Sequence, residues 1–158
     1  KVMVEFDRLV LCRGISEEKK ELHVELRVPG ITPLSERGVR VVAETDPIRP
    51  LGQPRDPGTT AHMDLSRLSG SLLVRSRRPG DRFSPLGMAA SKKLKDYLIE
   101  LRIPASKRDD ILIVADEAGI VWVVLRLAEP IGSRSARRAA PLSRTSVRLA
   151  FSASERTN

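Results

Sequence analysis

Cysteine occurs once in this chain, at Cys12, which excludes an internal disulfide and any thiolate zinc site built by this chain alone. A reducing, cytoplasmic setting fits that usage. Aromatic residues are almost as scarce: Phe6, Phe83, Tyr97, Trp122 and Phe151 make up 3% of the chain. Readers of single-stranded RNA lay bases on aromatic platforms, so this composition favours contacts with a duplex backbone. No apolar run approaches the roughly 18 residues of a membrane-spanning helix, and no membrane partner is expected. Catalytic signatures are missing too. His23 and His62 lie far apart without metal-ligand spacing, and there is no GxxxxGK loop, no GxGxxG and no nucleophile elbow. No catalytic, cofactor-binding or metal-ligating residue is assigned.

What the chain has in quantity is positive charge. Its 28 Lys and Arg exceed its 20 Asp and Glu by eight, which favours a polyanionic partner. With 158 residues, 41% hydrophobic, it is long enough for one ordinary domain or two small ones around a real core. The charge is concentrated in RSRRPGDRFSPLGMAASKKLKDYLIELRIPASKRDD, residues 75–110. From Arg75 to Arg108, ten basic residues face only Asp81, Asp96 and Glu100, a local charge of +7.

Apolar alternation predicts short strands at VEF and LVLC, from Leu22 to Val28, from Val39 in VRVVAE, and from Ser71 to Arg75. Residues 46–60, DPIRPLGQPRDPGTT, carry four prolines and two glycines and read as a long loop or subdomain boundary. Pro79-Gly80 has the residue pair of a type II turn. One main helix is expected at about 91–102: Ser91 serves as N-cap, and Leu94, Tyr97, Leu98 and Leu101 fall at i, i+3, i+4 and i+7. Ser106 and Asp109 suggest a second short helical turn. ILIVA and GIVWVVLRL, separated by DEAG, read as a hairpin. The arginine-rich segment at about 131–146 is expected to be mobile before VRLAF returns as an edge strand.

Lysines at a helix start are unusual, because the first turn has unpaired N–H groups and cations there cost about 0.3–1 kcal/mol each. Lys92 and Lys93 become favourable if an anion sits between them and the Ser91 hydroxyl; otherwise both simply point into water. The arginines are equally double-edged. A guanidinium fork suits a phosphate or a base edge, yet any one of Arg75, Arg77 and Arg78 can instead be tied down by Asp81. The candidate RNA contacts are thus Arg75, Arg77, Arg78 and Arg82 from the turn, Ser91, Lys92, Lys93 and Lys95 from the helix start, and Lys107 and Arg108 beyond it.

RSRRPGDRFSPLGM, then SKKLKDYLIELRIP, then KRDD and GIVWV, closely resemble in order and spacing the C-terminal domain of the tRNA(Ile)-lysidine synthetase family, over about residues 71–127. The resemblance implies a piece of an ATP-dependent ligase that joins lysine to the wobble cytidine of a tRNA for isoleucine. Its chemistry, with ATP and Mg, would belong to an N-terminal catalytic domain whose phosphate loop this chain lacks. The implied work of this chain is to bind tRNA(Ile), at the acceptor stem, and position it. After Trp122 the chain departs from the family pattern, with Ala128-Glu129-Pro130 where an acid and a final arginine are usual.

The expected fold is α+β, mainly antiparallel strands with one main helix and a C-terminal hairpin. Residues 1–58 would form a strand-rich N-terminal subdomain or the first half of the domain, and 59–158 the tRNA-binding part. The rival readings are a module that docks on the catalytic domain and a non-specific polyanion binder. The chain alone is not expected to be an enzyme. Purified, it should neither hydrolyse ATP nor adenylate a tRNA cytidine, and lysidine formed by these 158 residues alone would contradict that expectation.

Overall fold

The computed structural model describes residues 21–47, 60–85, 88, 90–124 and 145–153, with short strands at 2–5, 8–11 and 134–135. In chain order these form β1 (Val2–Glu5), β2 (Arg8–Leu11), β3 (His23–Glu25), β4 (Gly30–Leu34), β5 (Val39–Pro47), β6 (Thr60–Asp64) and β7 (Leu73–Ser76). The two-residue strands β8 (Arg82–Phe83) and β9 (Lys92–Lys93) lead into α1 (Leu94–Glu100) and α2 (Ala105–Arg108). The last elements are β10 (Leu112–Asp116), β11 (Gly119–Val124), β12 (Arg134–Ser135) and β13 (Thr145–Ala153). Among the described residues every strand pairing is antiparallel, in keeping with the strand-rich α+β architecture expected.

One sheet runs β12-β11-β10-β7-β3 and a second runs β4-β5-β13-β6, with β1-β2 and β8-β9 as separate ribbons. Within the five-stranded sheet, β10 and β11 are buried on both faces. Along β10, Leu112 and Val114 point into a core shared with Val41, Met63, Leu149 and Phe151 of the second sheet. Ile113 and Ala115 point the other way, onto Leu94, Tyr97 and Leu98 of α1. Strand alternation thus divides one continuous apolar run between two cores, which is why ILIVA carries no polar position. A bulge in β11, where Val114 pairs with Trp122 and Ala115 with Ile120, leaves Val121 as the extra residue. Trp122 meets Phe151 edge to face at 5.3 Å and ties the two sheets together.

The DEAG hairpin forms as expected. Asp116, buried, accepts from the Ala118 and Ser69 N–H groups at 2.9 Å each, and so holds the turn to the chain entering β7. VRLAF, however, is not an edge strand. β13 lies between β5 and β6, because Val147, Leu149 and Phe151 all face the core and nine residues register with β5. The main helix is also shorter than the span 91–102, since Lys92 and Lys93 pair as a strand with Phe83 and Arg82. α2 begins at Ala105 after Pro104, without a Ser106 cap.

The second sheet takes strands from both sides of position 58, while that position itself lies outside the described residues. So does the basic stretch 131–146, apart from β12 and the start of β13, and so does the altered Ala128-Glu129-Pro130 segment. Among the described residues no helix is long and apolar enough to cross a membrane.

The α1 stripe has a clear energetic consequence. Leu98 is 0% exposed, so Leu98→Ala should lower unfolding free energy in urea by about 2–5 kcal/mol. Ile99→Ala, on the open side of the same helix, should change it by only about 0.5 kcal/mol.

Candidate nucleic-acid interface

The basic turn is built around an acid. β7 delivers Arg75, whose Nη1 and Nη2 donate to both carboxylate oxygens of Asp81 at 2.9 and 2.7 Å. Both side chains are only 11% exposed. Asp81 also accepts from the Arg78 N–H at 2.8 Å, while its own N–H donates back to the Arg78 carbonyl at 3.3 Å. Between them stand Pro79 and Gly80, and Gly80 takes φ 85°, the value a type II turn requires of its third residue. Burial alone would push the Asp81 carboxyl up. The Arg75 hydrogen bonds, the Arg78 N–H and the charges of both arginines outweigh it and hold the group below its ordinary value.

The other arginines of the turn are also engaged. Arg77 Nη2 reaches Asp109 at 2.8 Å, and Arg78 Nε reaches Glu21 at 2.7 Å. Arg82 donates to the Ser91 hydroxyl at 3.3 Å and the Ser91 carbonyl at 3.0 Å. Arg108 Nε donates to the Ile103 carbonyl at 2.9 Å.

Turn and helix start are adjacent, joined through strand pairing. Arg82 pairs with Lys93 and Phe83 with Lys92 in the β8-β9 ribbon, and the first helical N–H, that of Leu94, donates to the Asp81 carbonyl at 2.8 Å. Ser91 is therefore not the N-cap. Lys93 holds that position, extended at φ −66° and ψ 131°, with no side-chain cap. Of the groups expected to meet an anion, Lys92 is bonded to Glu100 and the Ser91 hydroxyl accepts from Arg82. Arg82, Ser84, Ser91 and the Gly119 turn do line an open cleft of about 230 Å³.

Lys93, Lys95, Arg102 and Lys107 contrast with these paired groups. All four are exposed, and none makes an ion pair or side-chain hydrogen bond among the described residues. Arg102 lies in the charged window but outside the candidate contacts legible in the sequence. No local signal marks it, since its distinction is a backbone conformation, φ 54°. Among the described residues no three His, Cys, Asp or Glu side chains gather as metal ligands.

A crystal structure of a TILS C-terminal domain superposes on the chain with a TM-score of 0.67 at 32% identity, covering 85% of this chain and 98% of that one. This chain belongs to the tRNA(Ile)-lysidine synthase C-terminal domain family. The family model described as TilS substrate C-terminal domain matches residues 72–139, which contain the basic turn, α1 and the β10-β11 hairpin. tRNA(Ile)-lysidine synthase of Symbiobacterium thermophilum is 41% identical over 131 residues, 79% of this chain and 27% of that protein. That of Caldanaerobacter subterraneus subsp. tengcongensis is 35% identical over 119 residues, 75% of this chain and 25% of that protein. The chain therefore spans about a quarter of the length of these curated relatives.

Asp81 gives the turn a pH signature. Its lowered pKa means that its stabilising contribution is complete above the unfolded carboxylate value of about 3.9 and is lost as pH falls through the lower folded value. Asp81→Asn should cost about 1–3 kcal/mol at neutral pH. The gap between variant and parent should close well below pH ~4, as urea midpoints at the two conditions will report.

Proposed function

We propose that this chain is the tRNA-holding domain of a tRNA(Ile)-lysidine synthase. It binds the acceptor stem of tRNA(Ile), so that a separate N-terminal catalytic domain can ligate lysine to the wobble cytidine with ATP. The observation that carries this reading is the division of charge within the matched region. Arg75, Arg77 and Arg78 are matched by acids, whereas Lys93, Lys95, Arg102 and Lys107 present uncompensated charge to solvent. Cations left unpaired on a folded surface attract phosphates and release their counterions on contact. The names of the relatives supply the substrate class.

ATP and Mg do not fit the residues present here. The sequence has no glycine-rich phosphate loop, and the described residues gather no three metal ligands, so both belong in this reading to the catalytic domain. The chain's own part is to hold and orient the tRNA.

Two measurements test this. Affinity for tRNA(Ile) should fall when the acceptor stem is removed, and equal affinity would overturn the acceptor-stem assignment. Replacing Lys93 and Lys107 by Ala should reduce the slope of log affinity against log salt by up to about two units, taking ~0.9 per phosphate from B-DNA. Lys92→Ala, whose charge Glu100 already matches, should leave the slope nearly unchanged.

A further inference from the structure

α1 closes with an arginine where a glycine is the easy choice. The Ile103 N–H donates to the Leu98 carbonyl at 3.0 Å and the Arg102 N–H to the Ile99 carbonyl at 2.9 Å, the paired bonds that end a helix through one left-handed residue. That residue is Arg102, at φ 54°, the one non-glycine residue with positive φ among the described residues. At Gly38, Gly70 and Gly80 the chain meets a similar positive-φ demand with glycine, which has no Cβ to clash. Arg102 bears the steric cost, and its side chain returns no hydrogen bond or ion pair to the described structure. A strained backbone under an exposed, unpaired side chain is characteristic of a position held for a contact outside the domain.

The neighbours of Arg102 define that contact. Lys95 and Ile99 stand at i and i+4 on the open side of α1, and Arg102 follows just past the helix, after its cap Leu101. Leu94, Tyr97 and Leu98 occupy its buried side. Ile99 is 41% exposed, one of three large apolar side chains left in solvent among the described residues. Lys95, like Arg102, is unpaired, and the flanking Glu100 is bonded to Lys92. The row therefore reads cation, apolar, cation, from the first turn of α1 to the left-handed residue that closes it.

We propose that Lys95, Ile99 and Arg102 form a contact row for the minor-groove side of an A-form RNA duplex. Lys95 and Arg102 meet phosphates, and Ile99 lies against the ribose edges between them. The inference rests on the tRNA-binding reading and deepens it. A duplex fits better than a single strand, because Phe83, Tyr97, Trp122 and Phe151 are all buried and leave no described aromatic surface for stacking bases. The minor groove fits better than the major, because in A-form RNA it is the wide, shallow groove that exposes sugars, whereas the major groove is too deep and narrow for side chains.

The test measures binding of the 158-residue chain to a blunt RNA duplex with the acceptor-stem sequence, and to one of its strands alone, across a salt series. Arg102→Gly should melt at or above the parent temperature, yet bind the duplex several-fold more weakly with a salt slope lower by about 0.9. Arg102→Lys should recover the slope, and Ile99→Ala should weaken duplex binding several-fold at an unchanged slope. A folded Arg102→Gly protein with parental duplex affinity and slope overturns the row, including the case in which this face docks on the catalytic domain. Equal losses on duplex and single strand overturn the groove assignment. A parent chain that binds neither the duplex nor tRNA(Ile) overturns the tRNA-holding reading itself, whereas a binding parent with unaffected variants overturns only the row.

Discussion

The turn, the strand before it and the helix after it all depend on Asp81. Its carboxylate takes the Arg75 fork from β7 and the Arg78 N–H from the turn, and its carbonyl takes the first N–H of α1. A helix of seven residues is too short to persist alone, so its start must be fixed from outside. Asp81 does this with a backbone oxygen, while the apolar side of α1 is held against β10 and β11. The same residue makes a cluster of arginines tolerable next to a folded core, because the charge nearest that core is neutralised at short range. Arg77 with Asp109 and Arg78 with Glu21 extend the compensation outward to more exposed groups.

This arrangement explains why arginines and lysines separate in role. A guanidinium presents fixed, planar donors that a carboxylate can match at both oxygens, so arginine suits a half-buried structural pair. An ammonium on a flexible stem stays hydrated and remains available to a partner that arrives later. Arg75 follows the first pattern, whereas Lys93, Lys95 and Lys107 follow the second. Arg102 departs from the division: it is an arginine without an internal carboxylate, on a backbone conformation that favours glycine. Net charge alone ranks the arginine turn above the lysines, whereas the pairing geometry leaves the lysines with unmatched charge.

Local chemistry made several features legible before any tertiary information. Pro79-Gly80 specified its turn through a preset φ and a tolerated positive φ, and DEAG between two apolar runs specified the β10-β11 hairpin. The spacing of Leu94, Tyr97 and Leu98 specified the buried side of α1. The helix start was read too early because Ser91 is a good cap in isolation, but the Arg82–Lys93 and Phe83–Lys92 pairings take residues 92 and 93 into a strand. β13 was read as an edge because nothing local tells an inner strand from an outer one when the stretch before it is polar. Its two partners, β5 and β6, lie about a hundred residues back in the chain.

By itself, the sequence determined the strand-rich class, the family, the turn and the excess of positive charge, because these follow from residue type and short-range spacing. Only the tertiary structure decided which charges remain free. Whether an arginine is spent on an acid depends on residues such as Glu21 and Asp109, distant in sequence and brought within 2.8 Å by strand pairing and helix packing. The left-handed Arg102 was likewise decided by the packing of α1, since the bonds that close the helix impose a φ its side chain disfavours.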